Sequence, residues 1–274
     1  MMHRLRKSSN WLIAYVGVFL LFLYAPALLL PLFAFNDSSV ISFPLAGFTT
    51  QWFAAVLDND PLHRAARNSL IVALSTAALS TTLGVFAARA STRYEFPAKR
   101  GMLGLVMVPM VLPEIIVGVS LLVVVVQLGL SPSLLLIILG HVLICTPFCT
   151  AILGAAFQGL DRSLEEASID LGRTRFMTFV LITMPLVLPG IISSLLLSFT
   201  ISLDEFIIAF FLTGTEATLP VYIWGQLRFP QRVPGLMALG TILLVVSLLL
   251  LVCAEYFRRR GARTMGRQEQ GGFF

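Results

Sequence analysis

The sequence predicts an all-α, polytopic membrane protein with six transmembrane helices, and three observations carry that expectation. Of 274 residues, 57% are hydrophobic and only 12% charged, about half the charged share of a soluble domain, so the chain cannot cover itself with a wettable surface. Six uncharged or nearly uncharged stretches reach the roughly 20 residues that a hydrocarbon layer of about 30 Å requires. They cover residues 11–35, 68–88, 101–127, 134–157, 179–203 and 233–254. The basic residues, finally, fall on alternate connections rather than on one soluble face.

The first stretch, Trp11 to Phe35, follows a short basic segment, 1–10, and at first sight resembles a signal peptide. Its length exceeds the roughly 7–15 residues of a signal-peptide apolar region, so it reads as a retained span. In the second stretch Ala73, Ala77, Thr81, Gly84 and Ala88 recur every three or four residues. That spacing gives one face of small residues on which another helix can pack closely. The third contains Pro109, Pro113 and one charged residue, Glu114; the fifth opens with Pro185 and Pro189. The sixth leads into a basic tail, 256–274.

Six spans place both termini on one side, and the distribution of Lys and Arg says which. Arg4, Arg6, Lys7, Arg89, Arg93, Lys99, Arg100, Arg162, Arg173, Arg175 and the tail arginines from Arg258 to Arg267 share one face, leaving Arg64, Arg67, Arg228 and Arg232 on the other. The termini are therefore expected in the cytoplasm. Trp11, Tyr15 and Tyr256 near the inner ends, and Trp52, Tyr222 and Trp224 near the outer ends, agree with aromatic belts. Two outer connections carry apolar residues of their own. Phe48 to Leu57 suits a short interfacial helix, and Phe206 to Leu212 is too short to cross and suits a re-entrant or interfacial element.

Several chemistries are excluded. The net charge of +5 is not gathered on one surface as nucleic-acid binding requires. The only lysines, Lys7 and Lys99, follow no glycine, so no phosphate-binding G-x-x-x-x-G-K-[ST] loop exists, and H-E-x-x-H and G-x-S-x-G are missing as well. No catalytic or nucleotide site and no cofactor is expected in this chain. Cys145, Cys149 and Cys253 lie inside apolar stretches without metal-ligand spacing and read as packing residues, as His141 reads as a packed or water-facing neutral imidazole.

The polar connection 158–178 is different in character. Ser163 followed by Glu166 has the spacing of a capping box, and Gly172 supplies a left-handed stop, which together specify a cytoplasmic helix of about two turns. So short a helix is unstable alone in water and needs a partner surface.

The longer pattern, Glu166-Ala-Ser, three residues, Gly172, nine residues, Ile182-Thr-Met-Pro185, resembles the EAA loop of ABC importer permeases, with Ser168 in place of the second Ala and Met184 in place of Leu. The resemblance implies a type I ABC importer permease fold in the bacterial inner membrane. It implies that the short helix couples to a separate cytoplasmic ATPase dimer, which binds ATP and Mg, through Glu165, Glu166, Ala167, Ser168 and Gly172. A second, homologous permease subunit and an extracytoplasmic solute-binding protein are implied with it, because one coupling helix engages only one of two ATPases. Gly47-Phe-Thr-Thr-Gln-Trp52, Asn68-Ser69, Pro113-Glu-Ile-Ile, Ser198 through Gly214 and Leu219-Pro-Val-Tyr-Ile-Trp224 extend the resemblance to the spermidine/putrescine type of permease. Relatives for opines or amino-acid derivatives share most of these motifs.

Glu114, Asp204, Glu205, Tyr222 and Trp224 are the candidate pathway residues. A carboxylate at mid-membrane costs about 2.5–3.5 kcal/mol unless it faces water or a partner, and acidic residues along a path favour a cation. Two readings stay open for two of them. Glu114 either faces the pathway or satisfies amides freed by Pro113; Asp204 either faces it or caps a re-entrant helix. A self-sufficient secondary carrier, the competing class, calls for internal repeats that the halves of this chain do not display.

Overall fold

The computed structural model describes the backbone of residues 2–264 and the side chains of 11–249 and Val252. The basic N-terminal side chains, Cys253, Tyr256 and the arginines from Arg258 onward lie outside the described side chains. Among the described residues the α-helices are α1 (Met2–Ala34), α2 (Gln51–Leu57), α3 (Asp60–Arg93), α4 (Lys99–Val111), α5 (Glu114–Gln127), α6 (Leu134–Gln158), α7 (Arg162–Asp170), α8 (Arg175–Thr178), α9 (Met184–Asp204), α10 (Ile207–Leu212), α11 (Leu219–Leu227) and α12 (Val233–Thr264). No strand occurs among them beyond one isolated bridge, Asn36 to Phe48.

Five helical stretches, 11–34, 60–93, 134–158, 175–204 and 230–249, are long and apolar enough to cross a membrane. The third expected span is not one helix: α4 and α5, apolar enough only when taken together, meet at a bend of 107°, the geometry of a broken span or a re-entrant loop. The physical cause lies in Pro113, which has no N–H to donate and holds the residue before it out of the helical region. Leu112 accordingly takes φ -77° and ψ 141°. Beyond the break, the Ile116 and Val117 amides donate to the Pro113 carbonyl.

The chain forms two compact units. The first joins residues up to Asn59 with those from Gly225 onward. Here α12 packs on α1 and α2, with a Leu30 methyl 3.3 Å from where a Cβ on Gly240 would stand. The link from α1 to α2 is tied by side chains of the Gly47-to-Trp52 motif: Trp52 Nε1 donates to the Asn36 carbonyl at 2.9 Å, and Gln51 Nε2 donates to Asp37 Oδ1 at 3.0 Å. Phe35 packs against Phe48 and Phe53, with ring centroids 5.1 and 4.8 Å away.

The second unit, 60–224, is built on α3, α6 and α9, which pack on one another. The small-residue face expected on α3 is the buried one, comprising Ala73, Ala77, Thr81, Gly84 and Ala88. A Cβ on Gly84 would stand 2.8 Å from Cys149 Cβ and 3.0 Å from its backbone, so the two helices touch main chain to side-chain root. Without a hydrophobic drive between helices in lipid, such close approach is what holds them. Cys145 and Cys149 face the carbonyls of Ser198 and Ser194 on α9, and His141 Nδ1 lies 2.8 Å from Ser202 Oγ. These three are packing residues. The short apolar segment after α9 packs one face into the unit: α10 places Ile208, Ala209 and Leu212 against α5 and α6, and Phe211 occupies the space a side chain on Gly118 would need.

Asn68 and Ser69 hold the link between α10 and α11 against the start of α3. Asn68 Nδ2 donates to Glu216 Oε2 at 3.0 Å and to the Ala217 carbonyl at 3.1 Å, while the Leu219 amide donates to Ser69 Oγ at 2.8 Å. Gly214 in that link rests on the Pro132 carbonyl, where no side chain would fit.

Candidate functional site: the loop helix and an acidic cluster

The loop helix α7 starts two positions earlier than a Ser163 cap implies. Asp161 is the cap: its carboxylate accepts from the Ser163 amide at 2.9 Å. That bond holds the Asp161 carboxyl below the usual carboxylate range. Glu166 makes no capping bond. The carboxylate two residues before Ser163 simply reaches the free amides better than the hydroxyl does. Gly172 adopts φ 85° and ends the helix in a Schellman turn. Its amide donates to the Ile169 carbonyl at 2.8 Å, and the Arg173 amide donates to the Ser168 carbonyl at 3.2 Å.

The five residues named for coupling separate into two sets. Glu165 points into its own chain: Oε2 lies 3.0 Å from Arg93 Nε, an ion pair rather than an aligned hydrogen bond, and Oε1 accepts from Thr183 Oγ1 at 2.7 Å. Ser168 is buried, with its Oγ 3.0 Å from Thr178 Oγ1. Glu166 and Ala167 are exposed, beside Leu164, Ile169 and Leu171, the last 85% exposed. So one face of α7 is fastened to α3 and to the turn before α9, and the opposite face presents aliphatic groups and one carboxylate to the outside.

Two arginines complete the fastening. Arg93 Nη2 donates to the Leu160 carbonyl at 3.1 Å, and Arg162 Nη2 donates to the Thr92 carbonyl at 2.7 Å. The second bond closes the carbonyl end of α3 with a cation, where the helix dipole favours one. Residues 179–183 form a π-turn immediately before α9. Pro185 lacks the amide that the Leu181 carbonyl would receive, and the wider turn accommodates the missing bond.

Toward the far end of the second unit the candidate pathway residues also divide. Glu205 is buried and accepts from the Ile208 amide at 2.9 Å, so Glu205, not Asp204, caps α10. Asp204 is exposed. Glu114, the first residue of α5, is exposed, accepts no amide hydrogen bond, and lies within electrostatic reach of Glu205. Two of the amides next to the kink, those of Ile116 and Val117, take the Pro113 carbonyl as their acceptor. Phe206 stands 5.5 Å from Trp224, ring centre to ring centre, while Tyr222 is half-buried on the same helix as Trp224. Carboxylates and an aromatic pair thus gather around the α9–α10 junction, a chemistry suited to an alkyl cation.

Residues 80–263 match the family described as "Binding-protein-dependent transport system inner membrane component". The chain belongs to that family. Members are inner-membrane transporter components, and the α7 loop falls within the matched segment. The chain is 36% identical over 244 residues to the Escherichia coli K12 "Putrescine transport system permease protein PotI", covering 86% of each. It is 34% identical over 239 residues to the "Spermidine/putrescine transport system permease protein PotC" of the same strain, covering 87% of this chain and 90% of that one. Among solved structures, a bacterial ABC transporter importing alginate superposes with a TM-score of 0.75 at 16% identity, over 92% of this chain and 97% of the other. A second structure of an alginate transporter, in complex with a pentasaccharide-bound periplasmic protein, gives 0.70 at 20% identity, over 94% of this chain and 95% of the other. These two establish the fold.

Within the family frame, several residues of weight escape a reading of the sequence. Arg93 counts there only as one positive charge among many, and its partner Glu165 lies far along the chain. Thr183 and Thr178 look like ordinary polar residues at a span boundary. Phe206 sits in an apolar run with nothing to distinguish it. The doublet Asn68-Ser69 is legible as a motif, but not as the anchor of the link at 213–218.

Proposed function

We propose that this chain is the permease subunit of an ATP-driven polyamine importer, carrying putrescine or spermidine. The identity to PotI over most of both chains supports the solute class, and the carboxylates beside Phe206 and Trp224 supply a fitting chemistry. In this reading α7 is a coupling helix. A separate cytoplasmic ATPase dimer, holding ATP and Mg, receives the outward face formed by Leu164, Glu166, Ala167 and Leu171. Gly172 sets the turn back toward the membrane.

The observation that carries the mechanism is the division of α7 into a fastened and a free face. A helix of nine residues cannot resist a load alone. Glu165, bridging Arg93 on α3 and Thr183 at the base of α9, gives it two attachments to helices that cross the membrane. Closure of the ATPase pair would then displace α3 and α9 together, and the acidic cluster at the end of α9 with them. Both termini lie in the cytoplasm, a solute-binding protein docks on the opposite side, and a homologous second permease completes the pathway.

Proteoliposomes holding the complete transporter, with ATP inside and the solute-binding protein outside, test this directly. Saturable uptake of labelled putrescine or spermidine that stops without ATP is the expected result. A binding protein selecting only neutral or anionic solutes would overturn the polyamine assignment, and purification of an active permease pair without any ATPase would overturn the coupling one.

A further inference from the structure

A cavity of about 310 Å³ lies along α7, reaching from its fastened side to Glu166. Arg89, Arg162 and Arg175 line it, together with the Arg93–Glu165 pair and Glu166. Since Arg93 and Glu165 neutralise each other, three guanidinium groups face one carboxylate. Of the three, Arg162 is engaged with the Thr92 carbonyl, Arg89 lies with its guanidinium carbon 3.8 Å above the Phe179 ring, and Arg175 is exposed. A second cleft, about 380 Å³, shares Arg89, Tyr94 and Arg175 with the first and continues over Phe86, Phe176 and Phe179. Phe86 is 60% exposed and Phe176 75%.

A basic cavity running into an apolar cleft is an amphipathic surface, and it stands where the long apolar α3 gives way to the polar loop. Guanidinium groups pair with phosphate oxygens in a fork geometry that a lysine cannot offer. The cavity volume equals roughly ten water molecules, room enough for a phosphodiester group. An acidic side chain from a soluble partner would answer the arginines but leave the phenylalanine cleft uncovered. Basic pockets between membrane helices at the cytoplasmic surface are known receptors for anionic headgroups.

We propose that this surface binds an anionic phospholipid, its phosphate held by Arg89 and Arg175 and its acyl chain lying over Phe86 and Phe176. Bound there, the lipid bridges the end of α3 and the segment that leads from α7 into α9, so, on the coupling reading above, it braces the lever beside its ATPase-facing surface. The inference does not depend on which solute is carried.

The test uses the assembled transporter reconstituted in vesicles of equal parts phosphatidylglycerol and phosphatidylcholine, re-extracted, and weighed by native mass spectrometry for retained lipid. The intact protein should retain phosphatidylglycerol in preference, and Arg89→Gln with Arg175→Gln should lower that retention roughly ten- to thirtyfold. Phe176→Ala should shorten lipid residence without removing the headgroup preference. If the double variant does not assemble, Arg175→Gln alone, at an exposed position, should still lower retention roughly fivefold. Equal retention by the intact and altered proteins overturns the proposal. So does displacement of the lipid by millimolar inorganic phosphate, which would assign the cavity to a free anion, and so does retention only in permease stripped of its ATPase, which would assign it to the partner's acidic side chains.

Discussion

Replacing Glu165 by Ala should separate ATP hydrolysis from uptake while leaving the protein inserted. The side chains of Arg93 and Glu165 retain 10% and 16% of their exposure, so the pair is largely removed from water. Removing one member of a buried pair costs about 3–5 kcal/mol when the other is left uncompensated. Arg93 keeps its bond to the Leu160 carbonyl and some contact with water, which lowers the expected loss to about 2–3 kcal/mol. Thr183 loses its acceptor as well. That loss is concentrated at the root of α7, so its consequence is local: α7 detaches from α3 and from the turn before α9 before the helices of the core separate. Putrescine uptake and ATP hydrolysis, measured on the same proteoliposomes, should show hydrolysis retained and uptake per ATP reduced by about tenfold or more, the factor that about 1.4 kcal/mol of lost coupling produces. Glu165→Gln, which still accepts from Thr183 but carries no charge for Arg93, should fall between the two. Unchanged uptake per ATP in Glu165→Ala would refute the fastening argument, and equal loss of both activities would point to ATPase docking through Glu165 instead.

Other outcomes follow from the same geometry. Gly172→Asp places a side chain on a backbone at φ 85°, costing about 1–2 kcal/mol and misdirecting α8; membrane insertion should persist and uptake should vanish, as seen by comparing expression with transport. Gly84→Ala sets a Cβ 2.8 Å from that of Cys149, and since neither atom can swing aside, thermal unfolding in detergent should show a loss of about 1–3 kcal/mol. Glu114→Gln and Asp204→Asn should raise the putrescine concentration for half-maximal uptake without altering stability. Glu205→Ala leaves the Ile208 amide bare at a stability cost of about 1–3 kcal/mol, whereas Glu205→Gln keeps an acceptor there and isolates the effect of charge on transport. Because folding lowers the Asp161 carboxyl, its cap on α7 is fully present above the ordinary value of 3.8 and fades only as pH falls through the lowered one. Uptake between mildly acidic and neutral pH should therefore show no step from this group, and Asp161→Asn, which still accepts, should transport normally.

Features repeated along the chain were legible without coordinates. Apolar length marks the helices because lipid leaves a backbone no other partner than itself. The small-residue period on α3 marks its packing face, since that face must repeat at the helical pitch. Gly172 announces a stop because few other residues accept its backbone angles. The bend in the third apolar stretch was only half legible: Pro109 and Pro113 are equivalent in the sequence, yet Pro109 lies within α4 and only Pro113 breaks the helix. A proline inside a membrane helix can be tolerated where neighbouring groups re-satisfy the backbone, and neighbours are a tertiary matter.

By itself, then, the sequence determined that this is a helical membrane protein with a patterned loop, because hydropathy and spacing are local quantities that the chain carries in one dimension. Only the tertiary structure decided which carboxylate does what. Glu165 and Glu166 are adjacent in sequence, but a helix turns each residue by about 100° from the last, so one meets Arg93 and the other faces outward. Asp204 and Glu205 divide in the same manner at the end of α9, one exposed and one capping α10. For Glu165 the role is set by Arg93 on another helix, whereas for Glu205 it is set by the break between α9 and α10, which frees the Ile208 amide three residues on.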